Sequence, residues 1–161
     1  MGDDEHPDRT RFLKIASKLD FADRYYSFCR DHATAGPDLP APLQMEALAA
    51  TGRAWRHHKR DRFFSWKDAA SPEGCSLGLK LSLEYSSVEW ILAFATPSGG
   101  LGFGFATLSL GIKWLTNKGY EHLPPYPRPC FADLGELATV LTEGFALYED
   151  LAAAIRSETW A

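Results

Sequence analysis

Residues 75–114 read CSLGLKLSLEYSSVEWILAFATPSGGLGFGFATLSLGIKW, and the reading of this stretch decides the fold. Leu77, Leu79, Leu81, Leu83 and Tyr85 alternate with Ser76, Gly78, Lys80, Ser82 and Glu84, the period of two of a strand with one buried and one wet face. Ser86-Ser87 predicts a tight reversal. Val88 to Thr96 is apolar on both faces and reads as an interior strand. Pro97-Ser98-Gly99-Gly100 supplies the residues of a second turn. Leu101, Phe103 and Phe105 then alternate with glycine, after which the apolar phase slips to Leu108, Leu110 and Ile112. A bulge near Ala106-Thr107, or a break into a short helix there, satisfies the slip. The stretch as a whole predicts an antiparallel β-meander of three to four strands.

Helical spacing flanks it on both sides. Residues 1–7 are expected to form a flexible leader, and Asp8 to open a first helix by accepting from the unpaired amides of its first turn. Phe12, Ile15, Leu19, Ala22, Tyr26 and Cys29 follow at intervals of three and four, one apolar stripe. After Gly36, Pro37 and Pro40, Pro42 suits the first turn of a second helix carrying Leu43, Ala47, Ala50, Ala54 and Trp55, with a basic far end. Leu123-Pro-Pro-Tyr-Pro-Arg-Pro129 must be extended, and residues 123–130 read as a strap anchored by Tyr126. A long last helix opens at Asp133, with Glu136 three residues on as in a capping box, and its stripe runs Leu134, Leu137, Leu141, Phe145, Tyr148, Ala152, Ile155. The expectation is one α+β domain over 1–161, its meander packed against two N-terminal helices and one long C-terminal helix.

At 161 residues the chain can bury a core that needs neither metal nor disulfide. Its three cysteines, Cys29, Cys75 and Cys130, lack framework spacing, the acidic N-terminus is no signal peptide, and no apolar run has the length of a membrane span. These features predict a cytoplasmic protein. Aromatic residues make up 13% of the chain, enough to expect rings in a core or an interface.

No catalytic constellation accompanies this framework. Cys29 and His32 stand at helical i and i+3, but a zinc site needs further ligands, and His57 and His58 stand at no recognisable spacing. A buried cysteine beside a helix-end histidine is the favoured account, with no metal expected. Gly99-Gly100-Leu-Gly102-Phe-Gly104 lies inside a strand pattern with no P-loop lysine after it, so glycine opposite rings is preferred to a phosphate loop, and no cofactor is expected. Cys130 sits between Pro129 and Phe131 with no evident base; His122 could serve only through a fold contact invisible in the sequence.

Charge is distributed unevenly around a net −4. Arg53, Arg56, Lys59, Arg60, Arg62 and Lys67 face only Asp61 between Gly52 and Lys67, interleaved with Trp55, Phe63, Phe64 and Trp66. That is the pattern a phosphate backbone and stacked bases would want, or else a solvated helix end whose rings enter the core. On the last helix Glu136, Glu143 and Asp150 recur every seven residues, on one line placed opposite the apolar stripe. Such a line is a solvated outer face, or an acidic strip that docks a basic partner.

The tract from Leu79 to Leu110, the segment Pro124-Pro-Tyr126-Pro-Arg-Pro129, and Leu137-x3-Leu141-x2-Gly144-Phe145-x2-Tyr148 together resemble small bacterial immunity proteins encoded beside polymorphic or contact-dependent toxins. The resemblance implies a cytoplasmic, non-enzymatic inhibitor in bacterial competition that binds one cognate toxin domain. On that reading Glu136, Glu143 and Asp150 are the expected partner-binding residues. The alternative is a nucleic-acid or anion-binding module using Arg53, Arg56, Lys59, Arg60 and Arg62.

Overall fold

The computed structural model describes residues 6–116, 118 and 127–160. Its elements run α1 (Arg9–Ser17), α2 (Phe21–Asp31), α3 (Ala41–Ala49), β1 (Arg56–His58), β2 (Phe63–Lys67), β3 (Ser76–Ser82), β4 (Glu89–Thr96), β5 (Gly99–Gly104), α4 (Phe105–Thr116) and α5 (Leu134–Arg156). The strands form one antiparallel sheet in the order β1-β2-β3-β4-β5, so the α+β class and the meander are as expected. The strand number is not: five replace three to four. The two added strands come from the basic block, which is a β-hairpin rather than the end of the second helix. Gly52, at φ +77°, explains why: it takes the left-handed conformation that ends α3, and Thr51 and Gly52 donate back to Leu48 and Ala49. From there Phe64 and Trp66 alternate inward as a strand requires.

Three further departures, and the choice of a helix over a bulge after Phe105, have local causes. The first helix is two, because Asp20 sits at φ +53° and breaks the run between Ser17 and Phe21. Asp8 makes no side-chain cap bond; its carboxylate accepts from the Thr96 hydroxyl at 2.9 Å. The phase slip after Phe105 is a twelve-residue helix, α4, which buries Phe105, Leu108, Ser109 and Ile112 at helical spacing. The chain between β3 and β4 turns through a short 3-10 segment, Glu84–Ser86, rather than at Ser86-Ser87 alone.

The helices cover one face of the sheet. Across the strands the inward rows are Phe64-Leu81-Trp90, Trp66-Leu79-Leu92-Phe103 and Leu77-Phe94-Leu101. Trp90 is the centre: Phe105 stacks on it at 5.6 Å and Phe145 meets it edge-on at 5.5 Å. Helix α5 crosses above this tryptophan at Gly144, where a methyl group would stand 1.9 Å from Cζ2 of Trp90. Only glycine permits that approach.

Residues 127–132 are stitched in by backbone bonds on both sides. Cys130 donates to the His32 carbonyl (2.7 Å), Phe131 to Ser86 (2.9 Å), and Val88 to Pro129 (2.9 Å). The remainder of the expected strap, with Tyr126 and His122, lies outside the described residues. Asp133 caps α5 by accepting from the Glu136 amide at 2.8 Å, and Glu136 accepts from the Ala132 amide at 2.7 Å, one residue before the capping-box position.

Candidate functional site

Two charged regions were singled out by the sequence, and they have opposite fates. The acidic line on α5 does not stand opposite the apolar stripe; it runs along the stripe's margin, where α2 lies against it. Glu136 reaches Nδ1 of His32 at 3.2 Å and Glu143 reaches Nε2 at 2.7 Å. Asp150 accepts from Arg24 at 2.7 Å. His32 is buried, and both of its ring nitrogens face carboxylate oxygens, so the ring fills both bonds only as a doubly protonated imidazolium. Burial opposes that charge, but the bonds to Glu143 and Glu136 outweigh it and raise the pKa above the ordinary histidine value. The line is therefore an electrostatic seam between two helices.

Neither His32 nitrogen is left for a metal. Among the described residues no group of three or more His, Cys, Asp or Glu is placed to hold one. Burial pushes the Cys29 thiol up to about 12 and, with the nearby Asp8 charge, Cys75 up to about 11; burial and then Glu136 raise Cys130 as well. None of the three is poised as a thiolate nucleophile. The glycines of residues 99–104 all lie within β5, and α4 starts at Phe105, which leaves no loop to wrap a phosphate.

Sequence reasoning missed a second internal cluster. Asp68, buried just past β2, accepts from the Tyr148 hydroxyl and from Arg156, each at 2.5 Å, and from the Ala70 amide at 2.9 Å. Burial alone would raise its pKa; the Tyr148 bond, the Ala70 amide and Arg156 reverse that and hold it low. This staple ties α5 to the sheet. Asp68 and Tyr148 are eighty residues apart, so only the local Asx turn onto Ala70 was available to the sequence.

The basic block divides. Arg53 turns inward, pairing with Glu149 at 2.8 Å and lying 3.7 Å from the Phe145 ring centre, and Arg62 faces Glu84 at 3.7 Å. The side chains of Arg56, Lys59 and Arg60 are exposed on the β1–β2 hairpin, with no ion pair or hydrogen bond to any described residue. The rings go elsewhere than a stacking platform needs. Trp55 and Trp66 pack on Phe145, Phe64 is core, and Phe63 is covered by the stacked His58 ring at 4.2 Å and by Lys80 at 5.5 Å.

Beside the hairpin lies the sheet face away from the helices. By register its rows are Arg56-Ser65-Lys80-Ile91-Gly104, Lys67-Gly78-Ala93-Gly102 and Ser76-Ala95-Gly100. Small residues keep this face low, and an open trough of about 380 Å³ runs over Gly78, Ala93 and Gly102, bordered by Lys67 and Lys80. The acid of this face, Glu89, is neutralised by Arg128 at 2.5 Å. Chemically the arrangement offers positive charge and a flat floor, and in its first row the Ser65 hydroxyl shares a 2.7 Å hydrogen bond with Nε2 of His58. No family model matches the chain, and neither a curated protein nor a solved structure matches it.

Proposed function

We propose that the protein works by binding: an immunity-type inhibitor that neutralises one cognate bacterial toxin domain through direct contact, without chemistry of its own. What supports the reading is the disposition of reactive groups. The titratable clusters His32-Glu136-Glu143 and Asp68-Tyr148-Arg156 are closed on themselves, while no described helix lies over the outer face of the sheet. Glu136, Glu143 and Asp150 stay within reach of a basic partner, their side chains 29%, 48% and 54% exposed, but engaging them means exchanging His32 and Arg24. The test is to mix the purified protein with the toxin-like domain encoded by the adjacent gene. A complex at micromolar concentration that abolishes the toxin's activity is expected; no complex there removes the reading.

A second reading, capture of a nucleic acid or other polyanion by the hairpin, is favoured by the unpaired Arg56, Lys59 and Arg60. Titration with a single-stranded oligonucleotide at two salt concentrations tests it, since phosphate-driven affinity must fall steeply with salt.

A further inference from the structure

We propose that the outer sheet face is the docking surface and that its occupant is an acidic segment of a protein partner, lying on the Gly78-Ala93-Gly102 floor between Lys67, Lys80 and Arg56. The proposal rests on the binding reading above and names the surface and partner chemistry it leaves open.

Three observations converge. Among the described residues the face is uncovered: the helices occupy the other side, and the outward rows expose Arg56, Lys67, Lys80 and Gly102. Its charge is one-sided. The side chains of Arg56 and Lys67 have no partner among the described residues, that of Lys80 has only the Phe63 ring, and Glu89 is answered by Arg128. Elsewhere the fold answers its arginines with acids, as Arg24 with Asp150, Arg53 with Glu149 and Arg156 with Asp68 show. Finally, there is room at the β5 side of the floor, although at Gly78 a methyl group would stand 2.5 Å from the Trp66 carbonyl oxygen. A methyl group placed on Gly102 or Gly100 would meet no atom within 4 Å, so an extended chain can lie directly on the backbone there.

The partner's chemistry follows from what the face lacks. Single-stranded nucleic acid is held by phosphate contacts together with bases stacked on free rings. Here the rings beside the cations are spent, Phe63 under His58 and Trp66 against Phe145. Carboxylates need only the cations and the open floor, so an acidic polypeptide is the better complement.

The probe is poly-L-glutamate, titrated into the full chain and followed by backbone amide resonances. Shifts are expected at Gly78, Ala93, Gly102 and the β1–β2 hairpin, weakening with salt. Two variants carry the weight. K67E/K80E reverses two exposed charges of the face, and G102W builds a bulky ring on the floor from a position where a Cβ meets no atom within 4 Å. Each is expected to weaken binding by about tenfold or more, whereas K14E/K18E, the same reversal on exposed lysines at α1, should change it less than about twofold. Equal losses in all three, full binding by G102W, or shifts confined to other surfaces would overturn the proposal. So would tighter binding of a single-stranded oligonucleotide of equal charge, or a concentration-dependent dimer closing on this face. The toxin-domain experiment separates the two levels. A toxin complex untouched by G102W and K67E/K80E defeats the surface and leaves the inhibitor reading standing. Polyglutamate bound at the face without any toxin complex does the reverse.

Discussion

The α2–α5 seam and the β1–β2 hairpin are each strings of like charge in the sequence, yet the first is closed and the second open. In the seam, acids at intervals of seven meet His32 and Arg24, which a separate helix brings alongside, so the charge is consumed in holding the fold. On the hairpin, alternation sends Phe64 to the core and leaves Arg56 outward, and no described element is laid over that face. A run of charge therefore reveals nothing about function until its facing neighbours are known. The unanswered run is the one worth testing for partners.

Breaking the closed side should cost most. Asp68→Ala strands the Tyr148 hydroxyl and leaves Arg156 with the Ala70 carbonyl and Glu149 at 3.9 Å, a loss of about 3 kcal/mol expected for a broken buried charge network. Its measure is the urea midpoint at pH 7 against the parent. Gly144→Ala should lower that midpoint nearly as far, by about 1–3 kcal/mol, because the new methyl would occupy the space of the Trp90 ring. If either variant matched the parent, the closed side would not be the structural half of the comparison.

Period-two and period-3.6 patterns made β3, α5 and the apolar stripe of α1 and α2 legible, since each rests on local spacing that burial enforces, while β4 is legible as a run apolar on both faces. Leu77, Leu79 and Leu81 are buried, and so are Leu137, Leu141, Phe145, Tyr148, Ala152 and Ile155. The hairpin was illegible because Arg56–His58 is three residues long and begins only seven after α3 ends, so the helical period seemed to continue. One left-handed glycine decided the matter. The role of the acids was illegible for another reason. Their spacing on α5 is sequence-local, but the cations that answer them sit more than a hundred residues away. Trp160 was missed likewise. A ring near the end of the chain carries no periodicity, yet it is buried against Phe94 and beneath Arg11.

The seam should also respond to pH. The charged groups facing the His32 ring are Glu136 and Glu143 of α5, with Phe28 edge-on from its own helix and Cys130 bonded to its carbonyl. Because its folded pKa is raised, its contribution is complete below the unfolded value of about 6.5 and is lost as pH rises through the folded one. His32→Gln should cost about 1–2 kcal/mol at pH 5.5 and progressively less toward pH 9. Urea midpoints of parent and variant across that range would converge. Parallel curves would mean that the ring is held by shape alone.

The smallest effect on stability belongs to the open side, and that smallness is its content. Arg56 and Arg60 touch no described acid, so R56A/R60A should stay within about 0.5 kcal/mol of the parent, as surface substitutions away from structural features do. Arg24→Ala, a half-buried arginine paired with Asp150, should lose up to about 1 kcal/mol. On polyanion binding the order inverts. R56A/R60A should flatten the dependence of affinity on salt, because each cation removed is one fewer charge contact to screen, while Arg24→Ala leaves that slope unchanged. Chemical denaturation and binding at two ionic strengths, run on the same pair of variants, read both. A salt slope that fell with Arg24 rather than with Arg56 and Arg60 would place the working charge in the seam after all.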